Sequence, residues 1–264
     1  MDWVRKASPA DVITVVNALV GFLAITYVID GRWLEASVLI IAGVVLDGLD
    51  GLAARRWGSK HNRGQYLDSF SDTISFCIAP ALLVYGVFYD GSRGTAWTDP
   101  MNALAVVAST LIASFGILRL ARFVQLDYTK ESFLGFPTPA NALLVISMVE
   151  LFGASPGKSA VLPAPWGLEA SQNLLVLGVS IAAAVLMISS VPYPKISDAL
   201  RVPATLAAAG VGGLATLAYL LLQNRATVEG IVFSLLLLGI AAYIFGGPLY
   251  VRRTRSADEI VPVQ

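Results

Sequence analysis

Eight stretches of mostly apolar residues, each close to the length of a membrane-spanning helix, divide this chain, and they fix its solvent before they fix its fold. A helix needs about 20 such residues to cross a bilayer. The stretches run at roughly 12–29, 34–56, 65–89, 102–125, 138–153, 172–191, 204–222 and 229–250. Turn chemistry separates them. Asp30-Gly31-Arg32 ends the first and Asp90-Gly91-Ser92-Arg93-Gly94 ends the third. Pro163-Ala164-Pro165-Trp166-Gly167 precedes the sixth, and Pro192, Pro194 and Pro203 precede the seventh. Charged residues make up 14% of the 264, against about 25% in a soluble domain, too few to solvate a surface. The expectation is an all-α polytopic membrane helix bundle, one integral-membrane domain over 1–264. A soluble enzyme, a disordered chain and a disulfide scaffold are excluded.

The first stretch follows Arg5 and Lys6 but is too long for a signal-peptide core. It also holds Asn17 and lacks a small-x-small cleavage site, so it is expected to be retained. The lone Cys77 permits no internal disulfide and reads as a small buried hydrophobe. Basic and acidic residues balance at 18 each, which gives no sign of a nucleic-acid partner. With the N-terminus inside, Arg32, Arg93, Lys158 and Arg225 alone among the 18 basic residues fall outside. The positive-inside rule therefore predicts a multi-pass cell-membrane protein with both termini in the cytoplasm. The five Trp residues (3, 33, 57, 97 and 166) lie near the ends of the stretches, where interfacial belts are expected.

Against this apolar background four carboxylates stand out. The second stretch reads Leu46-Asp47-Gly48-Leu49-Asp50-Gly51-Leu52-Ala53-Ala54-Arg55-Arg56, and the third opens Gly64-Gln65-Tyr66-Leu67-Asp68-Ser69-Phe70-Ser71-Asp72. Asp47 and Asp50 are three apart and Asp68 and Asp72 four apart, so each pair shares a helix face. A short loop makes the two helices antiparallel neighbours, with both pairs toward their cytoplasmic ends. Four acids there repel unless cations lie between them. Hard oxygen ligands point to Mg²⁺, Mn²⁺ or Ca²⁺ rather than zinc. Gly51, Ala54 and Gly64 sit four residues from an acid and clear its face, while Arg55 adds a cation suited to phosphate. The residues alone imply a metal-bridged, phosphate-bearing ligand and phosphoryl-type transfer beside two metals.

The string Asp47-x2-Asp50-Gly51-x2-Ala54-Arg55-x8-Gly64-x3-Asp68-x3-Asp72 resembles the signature of the CDP-alcohol phosphotransferase family, with all eight fixed positions present. The likeness covers about the first 200 residues. It implies a six-helix catalytic core (1–200) followed by an additional helix pair and cytoplasmic tail (201–264). It also implies two divalent cations (Mg²⁺ or Mn²⁺), a CDP-linked lipid donor, an alcohol acceptor that displaces CMP, and a homodimer. By that resemblance Asp47, Asp50, Asp68 and Asp72 hold the metals, and Asp72 is the base for the acceptor hydroxyl. Gly51, Ala54 and Gly64 make room for the CDP moiety, and Arg55 contacts it. Thr14-x2-Asn17-x3-Gly21 is similar to a family pattern. Asn17 either reaches the nucleotide or makes an interhelical hydrogen bond.

Two later elements resemble the phosphatidylserine and archaetidylserine synthase branch. One is Phe133-Leu134-Gly135-Phe136-Pro137-Thr138-Pro139-Ala140, the other Leu186-Met187-Ile188-Ser189-Ser190-Val191-Pro192-Tyr193-Pro194-Lys195. Leu120-Ala121-Arg122-Phe123 fits as well, though Val124 stands where that branch has Asn. The implied reaction moves the phospholipid group from CDP-diacylglycerol or CDP-archaeol to L-serine. Arg119, Arg122 and Lys130 are candidate acceptor residues, with guanidinium suited to the serine carboxylate; Arg119 and Arg122 read equally well as positive-inside anchors. His61 is expected to be solvated, Glu150 interfacial, and the helices after 200 packing or oligomer surface. The alternatives are a phosphorylated polyol acceptor (glycerol phosphate or inositol phosphate), or a membrane cation or solute transporter.

Overall fold

The computed structural model describes residues 8–57, 63–126, 132–154, 158–162, 169–194 and 225–258. Helix α1 (Pro9–Ile29) opens on a capping box: the Ser8 hydroxyl accepts from the Asp11 amide, and the Asp11 carboxylate accepts from the Ser8 amide at 2.8 Å. It turns at Gly31, whose φ of 72° suits glycine, into α2 (Trp33–Trp57). The two helices lie side by side, with Ala24, Ala36 and Ile40 among the buried residues.

The third stretch is not one regular helix. It runs as α3 (Arg63–Asp72), a π-helical turn (Thr73–Ile78) and α4 (Ala79–Phe88). Pro80 carries no amide proton for the carbonyl four residues back, and the wider turn absorbs that loss. A single extra residue rotates the helix face by about 100°, so the acids of α3 are set independently of the core-packing face of α4. Helix α5 (Pro100–Leu126) returns, and α6 (Thr138–Phe152) follows.

Six helices are long and apolar enough to cross a membrane among the described residues: α1, α2, the α3–α4 run, α5, α7 (Glu169–Ile188) and α8 (Arg225–Asp258). The expected fifth span, α6, has 15 residues, which reach about 22 Å and fall short of a bilayer core. Eleven of them are buried and none is exposed, so α6 is enclosed by protein rather than lipid. The expected seventh span, 204–222, lies outside the described residues. The core gathers Leu83, Val84, Ile112, Val145, Ile146, Val149, Leu177 and Met187. Large apolar side chains such as Leu19, Phe22, Phe70 and Leu238 remain exposed on the outside, as a lipid-facing surface requires. The molecule is a polytopic membrane helical bundle.

One small sheet interrupts the helices. Strand β1 (Ser132–Leu134) pairs antiparallel with β2 (Pro192–Pro194), setting Phe133 opposite Tyr193. The Gly135 amide donates to Val191 O at 2.9 Å, and the Phe136 amide to Leu186 O at 3.1 Å. The two elements singled out in the sequence at 133–140 and 186–195 are therefore two sides of one strap.

Candidate active site

The ends of α2 and α5 and the starts of α3 and α6 meet at the same end of the bundle as the strap. Asp47, Asp50 and Asp68 each offer a carboxylate oxygen there, and the three oxygens lie within 4.8 Å of one another. Asp50 is buried, and its Oδ2 accepts a 2.9 Å hydrogen bond from the Thr14 hydroxyl. Thr14 is held in turn, because the Ser71 hydroxyl donates to its carbonyl at 2.9 Å. Helix α1 thus ties an acid of α2 to the acid-bearing helix α3.

Asp72 stands outside that trio. It is buried at the junction of α3 and the π turn, and its Oδ1 has no hydrogen-bond partner. It lies within charge–charge range of Asp47, Asp50 and Asp68 and of Arg119. Gly51 faces open space, with nothing within 4 Å of where a Cβ would stand. At Gly64 the nearest atom to such a Cβ is Asp11 Oδ1 at 3.7 Å. Ala54 is exposed on α2, and Arg55 follows it in the last turn. An all-carboxylate donor set, an orphaned carboxylate oxygen and open room at Gly51 fit divalent cations with a phosphate ligand.

Asn17 is enclosed rather than open to this site. It has no exposed surface, and a Cβ on Gly43 would come within 2.9 Å of its Oδ1. Its main-chain carbonyl accepts from Ser75 Oγ at 3.0 Å, yet both side-chain amide atoms lack a partner, so of the two readings of its side chain the interhelical hydrogen bond is not made. Gly21 serves close packing, since a Cβ there would fall on Ser75.

The two arginines of α5 separate into different tasks. Arg119 is buried, donates to Thr138 Oγ1 at 3.1 Å and lies over the Phe123 ring at 5.6 Å. It is turned into the protein, not outward as a charge anchor. Arg122 is bound to main-chain carbonyls: Nη1 donates to Ile188 O at 3.1 Å, and Nη2 to Leu134 O and Ser189 O. It staples the end of α7 to the strap. Lys130 lies outside the described residues.

Asn141 went unread in the sequence, and Thr138 was read only within the 133–140 element; both are buried on the first turns of α6. An amide inside an apolar run was the available signal for Asn141. Tyr243 of α8 donates to Pro194 O at 3.2 Å and stacks on Tyr193, so the last helix braces the strap and does more than supply outer packing. Glu150 is not interfacial but buried, taking a 2.7 Å ion pair from Lys158 and a 2.6 Å hydrogen bond from Ser37.

A multi-pass helical bundle with a carboxylate cluster where two facing helices meet defines an acid-lined site in a membrane protein. The CDP-alcohol phosphatidyltransferase family model matches residues 8–236, and the chain belongs to that family of enzymes. It is 35% identical over 188 residues to an archaetidylserine synthase of Methanothermobacter thermautotrophicus, covering 70% of this chain and 69% of the relative. It is 32% identical over 184 residues to a CDP-diacylglycerol–serine O-phosphatidyltransferase of Helicobacter pylori, covering 69% and 70%. A protein of the same name from Methanocaldococcus jannaschii is 32% identical over 186 residues, covering 70% and 73%.

Proposed function

We propose that this protein transfers the phospholipid group of a CDP-linked lipid, CDP-diacylglycerol or CDP-archaeol, to the hydroxyl of L-serine, with release of CMP. The observation that carries the reading is the convergence of Asp47, Asp50 and Asp68 beside a buried, part-unpartnered Asp72 in a member of this family. The serine acceptor is supported by the names of the relatives and by the strap, whose two halves are the elements that resemble the serine branch.

Asp47, Asp50 and Asp68, with Asp72, would hold divalent cations, Mg²⁺ or Mn²⁺, which supply charge neutralisation for the donor pyrophosphate and the departing CMP. Gly51, Ala54 and Gly64 would leave room for the nucleotide, and Arg55, in the last turn of α2, would meet its phosphates. Asp72 accepts the proton of the serine hydroxyl as that oxygen forms its bond to the lipid-side phosphorus and the bond to CMP breaks. A buried position limits access of water, which would otherwise hydrolyse the donor. The charge asymmetry favours a cytoplasmic site with both termini inside, and the exposed apolar helix faces leave surface for a homodimer. The core within 1–200 carries every residue assigned a role.

The test uses membranes containing the protein, with CDP-diacylglycerol or CDP-archaeol and Mg²⁺ or Mn²⁺. Labelled serine, glycerol 3-phosphate and inositol phosphate are offered in parallel. Labelled lipid from serine, lost in Asp72→Asn, is expected. Lipid formed from a phosphorylated polyol instead would overturn the acceptor while keeping the chemistry.

A further inference from the structure

Among the described residues, two side-chain amides are buried with neither atom hydrogen-bonded, those of Asn17 and Asn141. Asn17 is walled in by Gly43 and Ser75. Asn141 has a different setting. It lies three residues after Thr138, hence on the same face of α6. Thr138 takes the hydrogen bond of Arg119. A Cβ on Gly116 would come within 2.6 Å of Cys77 Sγ and 3.7 Å of Thr138 Cγ2, so this face of α6 looks onto α5 and the π turn that follows Asp72. The Arg119 guanidinium lies within electrostatic reach of Asp72. An uncommitted amide therefore shares a face of α6 with the hydroxyl that holds Arg119, the positive group nearest in charge to the proposed base.

We infer that Asn141, with Thr138 and Arg119, forms the pocket that reads the head of a small amino-acid acceptor. This inference rests on the serine reading above. Arg119 meets the acceptor carboxylate in a charge-assisted pair, while Thr138 fixes the guanidinium. The Asn141 side-chain carbonyl accepts from the acceptor ammonium. A buried amide left unpartnered in the protein is suited to this task, because an analogue lacking the matching group leaves it unpartnered again and is rejected. The hydroxyl between the two ends of such an acceptor is then held toward Asp72.

Asn141→Leu is the decisive variant, being nearly isosteric and without hydrogen-bonding groups. Removing an unpartnered buried amide does not destabilise the folded protein, so thermal unfolding in detergent should be unchanged or raised. Kinetics are measured with serine, with 3-hydroxypropanoate (serine without its ammonium) and with 2-aminoethanol (serine without its carboxylate). Asn141→Leu should raise the serine KM by about tenfold or more and shrink the preference for serine over 3-hydroxypropanoate, with the KM for the CDP-lipid unchanged. Arg119→Gln should shrink the preference over 2-aminoethanol instead. Serine and 3-hydroxypropanoate falling in parallel, or a donor KM rising with the serine KM, would overturn the pocket and leave the serine transferase reading standing. A wild-type protein that makes no lipid from serine removes both. Asn141→Ala repeats the comparison with a smaller side chain, and the same ratio of acceptors decides it.

Discussion

The Thr14 hydroxyl donates to Asp50 Oδ2 at 2.9 Å across the interface of α1 and α2. Thr14 is buried and belongs to no carboxylate cluster, yet it orients an acid that does. Partners of ligating carboxylates usually change metal affinity or activity by about 10–100-fold when removed. Thr14→Val should therefore raise the Mg²⁺ or Mn²⁺ concentration giving half-maximal activity by about that factor, with little change in the serine KM. Thr14→Ser should restore it. A metal titration of transferase activity checks both.

Asp72 and the trio should separate in their response to metal. Asp47→Asn, Asp50→Asn and Asp68→Asn weaken cation binding, so raising the metal concentration should recover part of their lost activity. Asp72→Asn also removes the proton acceptor, and a loss of about 10²–10⁴ in kcat is expected that added metal does not reverse. Recovery of Asp72→Asn to the same extent as the other three would assign it to metal binding alone.

The acids were legible in the sequence because a carboxylate in an apolar run is costly and conspicuous. Their spacing by three and four fixed the shared faces. The division of Asp72 from the trio was not legible, since spacing along α3 gives a shared face but not which of its acids comes within reach of those on α2. Arg119 and Arg122 are three apart and look equivalent in sequence. One meets a hydroxyl and the other a set of carbonyls only because residues 134 and 188–189 arrive from distant parts of the chain. The elements at 133–140 and 186–195 were recognisable singly, whereas their pairing is a long-range fact.

Gly135 shows what that pairing demands. Its φ of 84° lies in the left-handed region, and a Cβ would fall on the carbonyl oxygen of Met187 and 2.8 Å from Arg122 Nη2. Gly135→Ala should destabilise the protein by at least about 1–3 kcal/mol from backbone conformation alone, with the clash added. Thermal unfolding of purified protein in detergent measures the loss, and an unchanged midpoint would mean that the strap yields freely.

Away from the site, Lys158 and Glu150 form a buried pair that fastens the 158–162 segment against α6. Lys158→Met leaves a buried carboxylate uncompensated, for which about 3–5 kcal/mol of destabilisation is expected. The double variant Lys158→Met with Glu150→Leu should recover most of it, because the loss comes from the stranded charge rather than from the missing attraction. Unfolding midpoints of the two variants decide this, and equal losses in both would assign the stability to the ion pair itself.

The proposed orientation has its own test in the single native thiol. Cys77 is fully buried and gives a silent background to a membrane-impermeant maleimide. Ser92 lies in the exposed turn after α4, on the predicted outer side, and Ser256 near the end of α8 on the predicted inner side. Ser92→Cys should label in intact cells, and Ser256→Cys only after the membrane is opened. The acids lie at the bundle end opposite the Ser92 turn, so the reverse labelling pattern would move the site to the outer face, away from a cytoplasmic supply of CDP-lipid.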